Sequence, residues 1–314
     1  MTKAFLFPGQ GSQAVSMGKT LCEAFAEAKD VFAEVDDTLG QNLSTLMFEG
    51  PVEELTLTTN AQPAIMASSI AVWRVLEKQC GAKITDAAYV AGHSLGEYSA
   101  LCAAGTFSLA DTARLLRIRG DAMQQAVPAG KGGMAAIIGL ATEAVEDVAR
   151  SASNVEEICV LANYNAPGQV VISGNAGAIE RACELAKEAG AKRALLLNVS
   201  APFHSPLMQP AAERMREALA EVEMKDAAVP VIANVTADAV KEAGMIRSLL
   251  VDQVTGSVKW SDSVLALHDS GVTHTVELGT GKVLSGLVRR IAKDIETSNI
   301  EGPADIEGFA AAAA

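Results

Sequence analysis

The sequence predicts an α/β protein with a parallel sheet, into which a small ferredoxin-like βαββαβ domain is inserted. Three observations predict it. Over the first 125 residues, short apolar runs alternate with stretches of helical period, the order that builds a parallel sheet. A Pro/Gly stretch, Val127-Pro128-Ala129-Gly130-Lys131-Gly132-Gly133, then breaks this texture. After it, strand, helix, two strands, helix and strand follow within about 70 residues, which is the split βαβ order.

Taken in turn, residues 4–7 read as a short buried strand, followed by the turn Pro8-Gly9-Gln10-Gly11-Ser12-Gln13. Residues 20–38 read as a helix, with Leu21, Phe25, Ala28, Phe32 and Val35 at spacings of three and four. Residues 61–79 form a second helix, entered through Gln62-Pro63, and residues 87–91 a strand that ends in glycine. Helices over 95–103 and 111–125 complete this part. Beyond the linker come strands at 134–139, 159–163, 169–173 and 194–199, with helices at 142–151 and 176–189 between them. Residues 210–222 resume helical period, and strands return at 229–235 and 275–278. The division expected is a large domain, 1–128 and 200–300, a small domain, 129–199, and a tail, 301–314. That tail ends in five alanines without an apolar period and is expected to be loose.

Composition narrows the function. The 314 residues suffice for about two domains, and 49% hydrophobic with 20% charged residues describes a packed globule. Aromatic residues are only 4%, so the core is aliphatic and no aromatic rows exist to stack bases. Thirty-eight acids against 25 bases give −13, which excludes a nucleic-acid backbone as partner. The five cysteines are scattered, with no Cys-x-x-Cys pair, as expected of free thiols in the cytoplasm. The apolar run at the start is too short for a signal peptide, and none approaches the ~20 residues of a membrane span. No membrane partner is expected, and the expected oligomeric state is a monomer.

The sharpest local signal is Gly92-His93-Ser94-Leu95-Gly96. Between a strand and a helix, this spacing puts the serine on a tight bend with glycines where side chains would clash. Ser94 is therefore the candidate nucleophile, and the large domain is expected to be α/β-hydrolase-like. A serine needs a base. His93 projects the wrong way from such an elbow, while His268 in the helical stretch 260–269 and His274 in a strand are expected to be structural. His204 stands in a loop between Pro202 and Pro206 after a strand end, where catalytic groups are commonly held; it is the candidate base. Arg119 shares a helix face with Leu115, Leu116 and Met123. A bare buried charge costs several kcal/mol, so Arg119 is expected to have a partner, either a structural acid or a substrate carboxylate. Arg114 and Arg117 face away from it, as surface charges would.

Two further motifs fail on inspection. Gly9-x-Gly11-x-x-Ala14 follows a strand but lacks the second strand and acid of a dinucleotide site, and Gly279-Thr280-Gly281-Lys282 lacks P-loop spacing.

In combination, Gly9-Gln10-Gly11-Ser12-Gln13, Gly92-His93-Ser94-Leu95-Gly96-Glu97, Arg119, Asn165-Ala166-Pro167-Gly168-Gln169, Phe203-His204, Gln253 and the stretch 277–286 resemble the malonyl-CoA:acyl carrier protein transacylase family. The resemblance runs from about residue 3 to 290 in order and spacing. It implies Ser94 as nucleophile, His204 as base and Arg119 as clamp on the malonyl carboxylate. It also implies an oxyanion hole from the N–H groups of Gln10 and Leu95, and a Gln253 carbonyl orienting His204. The family usually carries proline where Ser257 stands. The implied reaction is ping-pong transfer of malonyl from coenzyme A to the phosphopantetheine thiol of acyl carrier protein, in fatty acid biosynthesis. No metal or resident cofactor is implied, since coenzyme A and phosphopantetheine enter as parts of the substrates. The alternatives are a serine hydrolase or thioesterase of α/β-hydrolase type, and a non-catalytic docking module. An acidic carrier meeting an acidic chain needs a local basic patch, for which Lys192, Arg193, Lys282, Arg289 and Arg290 are candidates.

Overall fold

The computed structural model describes residues 2–199 and 201–313. Strand β1 (Lys3–Phe7) is buried from Ala4 onward. The helix expected over 20–38 is two, α1 (Lys19–Ala24) and α2 (Ala26–Leu39), because Phe25 between them is extended, with φ −133° and ψ 128°. Then come α3 (Leu43–Glu49) and α4 (Val52–Thr56), of seven and five residues, too short to show a period in sequence. Helix α5 (Thr58–Gln79) starts earlier than the Gln62-Pro63 step suggests, and its Ala64, Ile65, Ile70, Val72 and Leu76 are buried. Strand β2 (Tyr89–Gly92) runs through the elbow into α6 (Leu95–Ala103). In α7 (Leu109–Gln125) the Ser108 hydroxyl caps the first turn, accepting from the Asp111 N–H at 3.0 Å.

The second unit follows as β3 (Gly132–Ile138), α8 (Thr142–Ala152), β4 (Cys159–Ala166), β5 (Gln169–Asn175), α9 (Ala176–Glu188) and β6 (Arg193–Leu196). Its four strands form a separate antiparallel sheet, ordered β4-β5-β3-β6. Val145, Ile137, Ile172 and Ile179 belong to its own apolar cluster. The chain then returns as α10 (Gln209–Ala220), β7 (Val231–Ile232), β8 (Ala239–Val240), α11 (Ala243–Thr255), α12 (Trp260–Asp269), β9 (His274–Leu278), α13 (Val283–Ile291), β10 (Glu296–Ile300) and α14 (Pro303–Ala313).

The first sheet has the order β10-β9-β1-β2-β7-β8, parallel throughout except for the β7–β8 pair. It is an α/β fold with a mixed sheet. The strand expected over 229–235 shrinks to two residues because Asn234 leaves the ladder to bond the elbow. The tail expected to be loose is α14, and this corrects the sequence reading. Ile306 is 2% exposed and Phe309 packs against the main core, a spacing of three that the alanines after it conceal.

This topology positions the site. β1 and β2 lie side by side in register, with Phe7 opposite Gly92. The turns after both strands therefore open together at the carboxyl edge of the sheet, where α/β sheets bind ligands.

Candidate active site

The elbow is built by its glycines. A Cβ on Gly92 would fall 1.9 Å from the Gly96 carbonyl oxygen, and one on Gly96 would fall 2.2 Å from that of Phe7. Only glycine at both positions lets α6 start this close to β1 and β2. Ser94 at the bend takes φ 53°, a region that costs an ordinary side chain about 1–3 kcal/mol. Two bonds from Asn234 hold it there. Its Oδ1 accepts from the Ser94 N–H at 2.7 Å, and its Nδ2 donates to the Gly92 carbonyl at 2.7 Å.

His204 meets this serine from the far side of the chain. Its Nε2 lies 2.8 Å from Ser94 Oγ, while its Nδ1 lies 2.9 Å from the Gln253 carbonyl and 3.1 Å from that of Gly256. Carbonyl oxygens only accept, so the Nδ1 carries the hydrogen and the Nε2 lone pair faces the serine hydroxyl. Burial pushes His204 down to about 3, and the positive charge of Arg119 adds to this. The imidazole is thus neutral and open to a proton. The turn that supplies the two carbonyls is tied to β4 by Ser257, whose hydroxyl donates to the Leu161 carbonyl at 2.6 Å. A side-chain bond stands there in place of the proline that the resemblance leads one to expect.

Arg119 is 1% exposed. Gly120 beside it lets α7 press against the start of α5, since a Cβ there would lie 2.8 Å from the Thr58 carbonyl. Arg119 Nη1 consequently reaches Gln62 Oε1 at 2.7 Å, and Nη2 reaches Gln253 Oε1 at 3.0 Å and Ser94 Oγ at 3.1 Å. Its guanidinium also lies 5.6 Å from the centre of the Tyr98 ring. Neither glutamine carries a compensating charge, so the structural-acid alternative lacks a direct salt bridge. Ser94, His204, Arg119, Gln62 and Gln10 line one cavity of about 300 Å³.

Gln10 and Leu95 both border the elbow. A Cβ on Gly9 would fall 2.5 Å from the His93 carbonyl, so the turn bearing Gln10 lies directly on the elbow. Leu95 is the first residue of α6. Among the described residues neither backbone N–H donates to another group.

The remaining candidates hold other partners, although His93 also lines the cavity. His93 bonds Asn165 at 2.9 Å and packs on Trp260, His268 bonds Asp294 at 2.7 Å, and His274 bonds Ser298 at 2.9 Å. Arg117 is not the free surface charge expected. It is half-buried and reaches Gln41 at 2.5 Å and Asn60 at 3.3 Å. Glu277, in the last quoted stretch, accepts from the Leu284 and Ser285 N–H groups and holds the start of α13. Arg290 is likewise engaged, donating to Gln169 Oε1 and to the Pro167 carbonyl. Sequence reasoning missed Gln62, Asn234 and Glu97 as members of the site. Glu97 alone had a signal, because it closes the quoted elbow motif.

A serine hydroxyl beside a neutral histidine, with two unbonded N–H groups near the bend, has the parts that acyl transfer uses. Comparison with known proteins agrees: the chain matches the acyl transferase domain over residues 4–304 and belongs to that family. Within it, the chain is 51% identical to the malonyl CoA-acyl carrier protein transacylase of Bacillus subtilis (strain 168), covering 97% of this chain and 95% of that one. It is 43% identical to the transacylase of the same name from Escherichia coli (strain K12), covering 96% of each. The crystal structure of acyl-carrier-protein-S-malonyltransferase from Bartonella henselae superposes with a TM-score of 0.97 at 54% identity, covering 100% of this chain and 99% of that chain. A malonyl-transacylase in complex with its type II PKS acyl-carrier protein superposes with a TM-score of 0.96 at 40% identity, covering 99% and 100%.

Proposed function

We propose that this chain moves a malonyl group from coenzyme A to the phosphopantetheine thiol of acyl carrier protein, in fatty acid biosynthesis. The names of the relatives support the reaction, and the arrangement of buried Arg119 beside Ser94 Oγ carries it. Ser94 Oγ attacks the malonyl thioester carbonyl while His204 Nε2 takes the hydroxyl proton. The oxyanion is held by the N–H groups of Gln10 and Leu95. The carbon–sulfur bond then breaks, His204 returns the proton to the leaving coenzyme A thiolate, and malonyl stays on Ser94 as an ester. In the second half the pantetheine thiol gives its proton to His204 and attacks that ester, and Ser94 Oγ leaves as the hydroxyl. Gln253 orients His204 throughout by accepting from its Nδ1–H.

Arg119 holds the free malonyl carboxylate with its fork. A plain serine hydrolase has no use for such a cation, which weighs against that alternative. Every group named comes from one chain, so a monomer suffices. The reading calls for no metal or resident cofactor, and the scattered free thiols favour the cytoplasm. We also read residues 129–199 as a ferredoxin-like insertion in an α/β-hydrolase-like domain of residues 1–128 and 200–300. The strand order β6-β3-β5-β4, with α8 and α9 as crossovers, supports the first part, and the Ser94 elbow supports the second.

The test is covalent. Incubation with malonyl-CoA alone adds one malonyl group, which maps to the peptide containing Ser94 and is absent from Ser94→Ala. Label on another residue, or none, would refute the mechanism.

A further inference from the structure

Beneath the elbow lies a carboxylate that the reaction just described does not use. Glu97 is 2% exposed, in the first turn of α6, and points away from the cavity. Its Oε2 accepts from the Asn234 backbone N–H at 3.0 Å and from Gln253 Nε2 at 2.8 Å. The same Nε2 donates to the Ser94 carbonyl at 3.0 Å. Both hydrogens of the Gln253 amide thus go to acceptors below it, and the opposite end of the amide must present its oxygen upward. That oxygen is the one that Arg119 Nη2 meets at 3.0 Å.

We infer that Glu97 is a positioning residue for substrate choice: by fixing which way the Gln253 amide faces, it aims the Arg119 fork at the acyl pocket. The inference rests on the malonyl reading above. An amide facing the other way would set its NH2 against a guanidinium, two donors with no acceptor between them. In a buried site that mismatch displaces the guanidinium rather than being absorbed by water. Burial pushes the Glu97 carboxyl up to about 7, against the pull of Asn234, Gln253 and the Arg119 charge. What the geometry needs from Glu97 is therefore an acceptor atom rather than a full charge.

That distinction supplies the experiment. kcat and KM are measured with malonyl-CoA and with acetyl-CoA, using the carrier protein as acceptor, for wild type, Glu97→Gln, Glu97→Met, Gln253→Leu and the Glu97→Met/Gln253→Leu pair, each checked by thermal melting. Glu97→Gln keeps an acceptor oxygen and should hold the malonyl-to-acetyl ratio of kcat/KM within about threefold. Glu97→Met keeps the length but no acceptor and should lower the ratio about tenfold or more. In the Gln253→Leu background, whose main-chain carbonyl still orients His204, Glu97→Met should lower it no further, because the effect passes through the amide. An unchanged ratio in folded Glu97→Met, or an undiminished effect in the Gln253→Leu background, would overturn the inference. If Glu97→Met does not fold, Gln253→Leu alone decides: the ratio must fall about tenfold, and an unchanged one overturns it. Wild type with a ratio near one would instead remove the malonyl reading, and this inference with it.

Discussion

Arg119→Ala separates the two things that the guanidinium does. In the structure it bridges Gln62 Oε1, Gln253 Oε1 and Ser94 Oγ at 2.7 to 3.1 Å while 1% exposed. With malonyl bound, losing it leaves a carboxylate in the cavity without its cation, a loss of about 3–5 kcal/mol. At about 1.4 kcal/mol per decade, malonyl kcat/KM should fall by roughly two to three and a half orders of magnitude. Acetyl carries no second carboxylate, and removing a neighbouring positive charge relieves one of the causes that hold His204 low. Acetyl transfer should therefore fall by less than about tenfold, or rise. Arg119→Lys should recover only part of the malonyl rate, since one ammonium cannot span three acceptors and a carboxylate fork. The assay is transfer from each acyl-CoA to carrier protein, with melting curves run alongside. The two glutamine oxygens lose their donor at about 1–3 kcal/mol each, partly offset by removal of a buried charge, so the fold should persist. A folded variant with an unchanged malonyl-to-acetyl ratio would refute the clamp.

His204→Ala should slow acylation of Ser94 by about 10²-fold or more; stopped-flow release of coenzyme A thiol checks it, and equal damage from His268→Ala would contradict the assignment. Stability should respond to pH in opposite senses at two sites. Glu97, raised to about 7, takes up a proton when folded that it does not hold unfolded, so its contribution is complete below the unfolded value and is lost as pH rises through about 7. His204, lowered to about 3, is protonated first in the unfolded chain, so its contribution is present above about 6.5 and is lost as pH falls toward 3. Between pH 7 and pH 5, urea melts of Glu97→Gln should lose stability more steeply than wild type, and those of His204→Ala less steeply; parallel slopes for all three would contradict both assignments.

The parts of this molecule that were legible in sequence are those that carry their own local signature. Gly92 and Gly96 announce an elbow because a Cβ added at either would fall about 2 Å from a backbone carbonyl oxygen. Arg119 stood out because a cation in an apolar stripe demands a partner. The alternation of strand and helix gave the parallel core. What was illegible is non-local. Gln62 looked like the approach to a proline, and Asn234 like the end of a strand. Their roles exist only because Gly120 brings α7 onto α5 and because β7 gives up its ladder after two residues. Phe25 breaks a helix whose apolar spacing continues straight through it. In α14, one buried and one partly buried residue three apart are too few for a period to be read.

The hydroxyl of Ser94 and the imidazole of His204 are 110 residues apart along the chain, and the Gln253 side chain that steadies the elbow comes 159 residues after the serine. During synthesis, which runs at about 5–20 residues per second, the elbow and the arginine leave the ribosome many seconds before the base has its carbonyl support. Until then the elbow and the arginine lack the histidine and the glutamine that bond them in the finished fold. On the Ser94–His204 reading proposed above, a chain interrupted before residue 204 is expected to show no hydrolysis of acyl thioesters. Chain order thus completes the site only once α11, which carries Gln253, has been made.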